Sequence, residues 1–78
     1  RENFTVFPNP AKDRIEVTLP AGMVGGTLSL YDPNGRLILQ KQVARTTEVL
    51  EGEGLTTGIY LLVYDYKNQR TSRKLIFK

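Results

Sequence analysis

From Arg14 to Leu19 the chain alternates polar and apolar residues without a break: Ile15, Val17 and Leu19 fall on one parity, Arg14, Glu16 and Thr18 on the other. A period of two puts one set of side chains on each face of an extended strand, so this segment is predicted as a half-buried β-strand. The pattern returns at Thr27–Tyr31, where Leu28 and Leu30 alternate with Thr27 and Ser29. Between the alternating runs stand clusters of glycine, proline and asparagine that end strands and start turns. Phe4–Phe7 is a short strand candidate closed by Pro8-Asn9-Pro10, and Pro20–Gly26 interrupts the chain again. Asp32-Pro33-Asn34-Gly35 places aspartate first, proline second and glycine fourth, the signature of a type I turn. Arg36–Val43 is the returning strand and Thr46–Glu51 the next, after which Gly52 and Gly54 are expected to loosen the chain. Ile59–Tyr66 is the strongest strand; its first half is apolar on both parities, which predicts a central strand covered on both faces. A turn at Lys67-Asn68-Gln69 leads to the last strand, Arg70–Lys78. Seven short strands and almost no helical period predict an all-β, antiparallel β-sandwich.

Seventy-eight residues form one domain, 1–78, with a thin stability margin, since a chain this short buries only about 60–65% of the surface it exposes when unfolded. There is no cysteine and no histidine. That removes disulfides, thiolate metal sites, the commonest zinc ligand and the commonest general base. The carboxylates are clustered at Glu48, Glu51 and Glu53 or scattered at Asp13, Glu16, Asp32 and Asp65, and a small sandwich offers little cleft for a carboxylate pair. We therefore expect no enzyme, no catalytic residue, no cofactor and no metal. Asp32 with Asn34 has the start of an oxygen-ligand loop, but the turn explains both residues. Tyr60, Tyr64 and Tyr66 share one parity; exposed, they would form an aromatic platform for bases or sugars, and buried, part of the core. No nucleic-acid partner is expected. The net charge is +3, concentrated at the end: Lys67, Arg70, Arg73, Lys74 and Lys78 follow one another with no acid between them. A basic strand can meet an acidic groove, or simply be a solvated edge that resists aggregation.

Taken in order, four blocks match something more specific. Phe7-Pro8-Asn9-Pro10-Ala11-Lys12-Asp13, Leu30-Tyr31-Asp32-Pro33-Asn34-Gly35-Arg36, Leu55-Thr56-Thr57-Gly58-Ile59-Tyr60 and Lys74-Leu75-Ile76-Phe77-Lys78 together resemble the type A C-terminal sorting domain of the type IX secretion system of Bacteroidota. Pro8-Asn9-Pro10 matches the opening motif of that family, Gly35 and Arg36 its central Gly-Arg, Gly58 and Tyr60 its Gly-x-Tyr, and Lys74–Lys78 its basic-apolar terminal strand. One departure is the acidic approach to Leu55 through Glu51-Gly52-Glu53-Gly54.

The resemblance implies a seven-stranded Ig-like sandwich that directs a folded passenger through the periplasm to the outer membrane, cell surface or medium. It implies outer-membrane shuttle and translocon proteins as partners, and a sortase-type cysteine peptidase that cuts the domain off. Pro8, Asn9 and Pro10 are then a stiff corner for a receptor. Gly58 permits close backbone approach at a bend. Tyr60 either packs only or also offers its hydroxyl to a partner, in the manner of a tyrosine corner. Lys74, Leu75, Ile76, Phe77 and Lys78 are the segment expected to be read, as a free edge strand able to add to a partner sheet. Unpaired edges also leave a homodimer open. The rival function is a carbohydrate-binding or adhesin-type sandwich, which requires the tyrosine row on the surface.

Overall fold

The computed structural model describes residues 4–8, 13–52 and 54–78. Seven strands follow in chain order: β1 (Thr5–Phe7), β2 (Arg14–Thr18), β3 (Thr27–Tyr31), β4 (Leu37–Gln42), β5 (Thr47–Glu51), β6 (Gly58–Tyr66) and β7 (Gln69–Phe77), with one 3₁₀ turn at Ala21–Met23. They form a three-stranded sheet in the order β1-β2-β5 and a four-stranded sheet in the order β4-β3-β6-β7, every neighbouring pair antiparallel. This is the expected Ig-like sandwich. Its fourth strand pairs with β3 in the four-stranded sheet, whereas in the constant-type immunoglobulin arrangement it belongs to the other sheet.

The alternation read from the sequence sorts side chains as it should. Ile15 and Val17 of β2, Leu28 and Leu30 of β3, Leu50 of β5, Tyr60, Leu62 and Tyr64 of β6, and Leu75 and Phe77 of β7 turn inward and form one core between the sheets. Tyr64 anchors the far end of it. Its hydroxyl accepts the Gly26 N–H at 2.9 Å and donates to the Met23 carbonyl, holding the β2–β3 connection against the core. Its ring packs edge-on against Phe4.

The open sides of the sandwich are closed by charges pointing inward from edge strands. Lys41 pairs in register with core Leu28, and Glu48 with core Val17. They meet across the gap at 3.2 Å, and Glu48 also accepts the Ala44 N–H. On the opposite side Arg73, in register with Leu62, lays its guanidinium 5.3 Å from the centre of the Phe4 ring. Inward charges at sheet edges discourage edge-to-edge association while leaving the interior apolar.

Three expectations need correction. The first half of β6 is not covered on both faces: Ile59 and Leu61 are 57% and 40% exposed, and only Val63 on that parity is buried. No second layer lies over the four-stranded sheet among the described residues, so the double-sided apolar pattern leaves an exposed aliphatic strip. Second, Gly52 does not loosen the chain. It is buried, its N–H donates to the Asp13 carbonyl at 2.6 Å, and a β-carbon there would stand 2.6 Å from Phe77 Cζ. Glycine at 52 is what lets the Phe77 ring close over the β5–β6 connection. Third, the last turn is tighter than read: Tyr66 already pairs with Gln69, so only Lys67 and Asn68 turn, both with positive φ as a type I′ hairpin requires.

Phe77 is thus a keystone of the core despite its place near the end of the chain. Phe77→Ala is expected to cost about 3–5 kcal/mol, the usual range for emptying a packed phenylalanine site. That is comparable with the whole stability of a small domain. Urea unfolding followed by circular dichroism checks it; a loss below about 1 kcal/mol would mean that the site collapses around the gap.

Candidate functional site

The four sequence blocks lie far apart in the chain, yet the described parts of all four meet at one end of a molecule measuring 33 × 21 × 21 Å. The register explains it. Phe7, the last residue of β1, pairs with Glu16 near the start of β2; Arg14 pairs with Glu51 at the end of β5. Tyr31, the end of β3, pairs with Leu61, and Gly58, the start of β6, pairs with Phe77, the end of β7. We call this end the motif pole. The opposite pole carries Thr5 paired with Thr18 and the Lys67–Asn68 turn, so the polypeptide enters β1 at the end remote from the motifs.

The β3–β4 turn is built around Asp32. The Gly35 N–H donates to the Asp32 carbonyl at 2.9 Å, and neither Pro33 nor Asn34 has positive φ, as a type I turn demands. Gly35 follows at φ +86, where a β-carbon would be strained. This explains the glycine of the Gly-Arg motif. The Asp32 carboxylate accepts the Asn34 N–H at 2.9 Å, the Arg36 N–H at 2.8 Å and Arg36 Nε at 3.1 Å. The Arg36 N–H foremost, then the Arg36 guanidinium and the Asn34 N–H, hold its pKa below the ordinary value despite an opposing contribution from desolvation. Arg36 is otherwise exposed.

This turn rests on the next motif. A β-carbon at Gly58 would stand 3.1 Å from Pro33 Cγ, so what comes close to this glycine is the proline ring of the turn and not another backbone segment. Two residues on, the Tyr60 ring is buried and packs edge-on against Phe77 at 5.1 Å. Its hydroxyl donates to the Thr56 carbonyl at 2.7 Å. An inward tyrosine at the start of this strand, bonded back to the backbone a few residues upstream, is the tyrosine-corner device of Ig-like folds. Tyr60 spends its hydroxyl within the domain.

The terminal strand divides by parity. Leu75 and Phe77 point into the core and present nothing outward, while Lys74, Ile76 and Lys78 are exposed. β7 is an edge of its sheet, as expected. Pro8 is exposed beside Phe7, itself 73% exposed, over a shallow recess of about 220 Å³ shared with Arg14 and Glu16. Asn9 and Pro10 lie outside the described residues, as do Ala11, Lys12 and Glu53. The tyrosine row forms no surface platform: Tyr60 and Tyr64 are core residues, and Tyr66, half-buried, stacks on Tyr64.

Sequence reasoning missed two features of the pole. One is the three-donor grip of Asp32, which turn statistics foreshadow without revealing. The other is a groove of about 570 Å³ on the outer face of the four-stranded sheet, with Ile59, Leu61 and Val63 beside Tyr31 and Pro33 and bordered by Arg70 and Lys74. Its signal was the double-sided apolar run of β6, assigned in the sequence to coverage.

The scattered motifs of a seven-stranded sandwich thus converge on one pole, where a basic edge strand ends. The chain belongs to the secretion system C-terminal sorting domain family, whose profile matches residues 5–78, and is a type IX secretion C-terminal sorting domain. That family is one of sorting tails, not of enzymes. The chain is 28% identical over 57 residues to beta-agarase A of Zobellia galactanivorans, a match covering 73% of this chain and 11% of that protein. In three dimensions it resembles PorZ, an essential bacterial surface component of the type IX secretion system of Porphyromonas gingivalis, with a TM-score of 0.84 at 18% identity. That match covers 97% of this chain and 11% of PorZ, and it is a likeness of fold. The chain therefore spans 11% of the length of each of these proteins.

Two measurements test the pole as an architectural unit. Tyr60→Phe keeps the ring and leaves the Thr56 carbonyl without this donor; a loss of about 1 kcal/mol is expected in urea unfolding. Asp32 and Glu48 both have lowered pKa values; for Glu48, burial pushes upward but the Ala44 N–H and Lys41 prevail. A carboxyl depressed in the folded state stabilises fully above its unfolded pKa and loses that contribution as pH falls through the folded value. Stability should therefore decline from about pH 5 downward, and Asp32→Asn should make that acid limb shallower. An unchanged limb would show that the grip on Asp32 does not favour its charged form.

Proposed function

We propose that this chain is the address of a larger exported protein. In this reading the motif pole is read by outer-membrane shuttle and translocon proteins, and a sortase-type cysteine peptidase removes the domain as the passenger reaches the cell surface or the medium. The domain itself has no catalytic role. One observation carries the reading: motifs from Phe7 to Lys78 assemble at one pole, while the polypeptide enters β1 at the other. A passenger attached ahead of β1 would then stand about the long dimension of the sandwich, 33 Å, away from the surface being read.

In this reading the outward-facing residues of the terminal strand are the ones recognised. Lys74, Ile76 and Lys78 offer side chains to a partner; Leu75 and Phe77 hold the strand in place from below. Pro8 with exposed Phe7 supplies an apolar contact at the same pole, and Asn9 and Pro10 are proposed to extend it. Gly35, Gly58 and Tyr60 act by shaping the pole, and Arg36 offers its exposed guanidinium beside them. Deleting Lys74–Lys78 would therefore strip the core as well as the signal, so outward-facing substitutions make the cleaner test.

A reporter carrying a signal peptide and this chain, expressed in a type IX host, is expected at the cell surface or in the medium; retention in the periplasm would overturn the reading. Lys74→Glu with Lys78→Glu is expected to abolish export while leaving the unfolding midpoint of the isolated domain near that of the unaltered chain. Unchanged export would remove the terminal lysines from the recognised surface.

A further inference from the structure

Asn34 is the one asparagine of the chain that precedes a glycine: Asn3 precedes Phe4, Asn9 precedes Pro10 and Asn68 precedes Gln69. The pairing matters chemically. A side-chain amide of asparagine is open to attack by the backbone nitrogen of the next residue, which closes a cyclic imide and releases ammonia. Glycine hinders that attack least because it carries no β-carbon, and proline has no N–H to give up. Asn34 and Gly35 are both exposed, and a β-carbon built on Gly35 would meet only open space.

The turn holds that reaction in check. Ring closure needs the Gly35 nitrogen to lose its proton and to face Asn34 Cγ in a near-attack geometry. In the folded chain the Gly35 N–H donates to the Asp32 carbonyl at 2.9 Å. The amides on either side are held as well: the Asn34 N–H donates to Asp32 Oδ1 at 2.9 Å, and the Arg36 N–H to the same oxygen at 2.8 Å. Three consecutive amides are thus pinned by one residue. The attacking nitrogen is bonded away, and the peptide planes on both sides of Gly35 cannot turn without breaking bonds to Asp32.

We propose that Asn34 is a site of spontaneous deamidation that the folded turn protects through Asp32. When the turn opens, the Gly35 nitrogen gives its proton to solvent and bonds to Asn34 Cγ. The Cγ–Nδ2 bond breaks, and Nδ2 leaves as ammonia with a proton from water. Water then cleaves either C–N bond of the imide. Cleavage at Cγ gives aspartate; cleavage at the former main-chain carbonyl gives isoaspartate, with the chain rerouted through Cγ. Overall water enters and ammonia leaves, and no other reactant is needed. Either product sets a new carboxylate in the turn that Asp32 organises, and isoaspartate also lengthens the main chain there. Pro33 of this turn rests on Gly58, so the mark lies within the motif pole. It records time spent unfolded, and it stands whether or not the sorting reading does.

Trypsin cuts after Arg14 and Arg36, and Asn34 is the only side-chain amide between them, so mass spectrometry reads its conversion directly. The folded chain is incubated at neutral pH beside a synthetic peptide of residues 30–38 in the same buffer. Conversion is expected to be about tenfold slower or more in the chain than in the peptide, because the turn must first open. Asp32→Ala is expected to raise the rate in the chain toward that of the peptide while circular dichroism stays unchanged. The same substitution in the peptide should leave its rate near that of the unaltered peptide. Unfolded in urea, the chain is expected to convert Asn34 before Asn68. Equal rates in folded chain and peptide would overturn the protection, and this comparison decides the matter even where the variant fails to fold. An unmoved rate in a folded Asp32→Ala chain would overturn the role of Asp32, and earlier conversion of Asn68 in urea would overturn the choice of site.

Discussion

The motif pole depends on one packing arrangement, the Phe77 ring held between Gly52 and Tyr60. Gly52 supplies the space, since any β-carbon there would collide with the ring. Tyr60 supplies an edge-on aromatic partner whose hydroxyl is tied to the Thr56 carbonyl. The three residues come from the end of β5, the start of β6 and the end of β7. Their contact therefore fixes the β5–β6 connection and the terminal strand relative to each other. The β3–β4 turn leans on the same assembly through Pro33 against Gly58. Aromatic rings bury large areas and tolerate few orientations, so a single interdigitated site can hold three chain segments where a 78-residue domain has little stability to spare.

The same arrangement makes the terminal segment more than an appended tag. Its inward residues are core, and its outward residues are a surface displayed by that core. Exposed and core side chains alternate residue by residue along one strand, as a period of two dictates. A partner that reads Lys74, Ile76 and Lys78 reads a folded face whose geometry is set by Leu75 and Phe77 beneath it. Lys41 and Arg73 lean the other way and seal the sides of the sandwich.

Much of the architecture was legible in the sequence because it follows from local chemistry. Alternation at Arg14–Leu19 and Thr27–Tyr31 gave strands with the correct face inward, and Asp32-Pro33-Asn34-Gly35 gave its turn. The errors have a common cause. Gly52 reads as a loose joint by composition, but its neighbour in space, Phe77, lies at the far end of the next two strands. Ile59 and Leu61 read as covered because they are apolar, yet nothing in a local pattern says whether a second layer exists. Tyr60, Tyr64 and Tyr66 share a parity, which fixes that they lie on one face and leaves open which face is buried.

By itself, then, the sequence determined the all-β class, the seven strands, the turn chemistry and, through its four ordered blocks, the resemblance to a sorting family. Backbone propensity, side-chain parity and turn residues act within a few positions, so one strand at a time carries the information. Only the tertiary structure decided that the motifs gather at a single pole, that Tyr60 and Tyr64 are interior, that the inward parity of the terminal strand is core, and that Ile59 and Leu61 are exposed. Those outcomes depend on register between strands distant in the chain, and register is settled by which side chains find room against one another across the core.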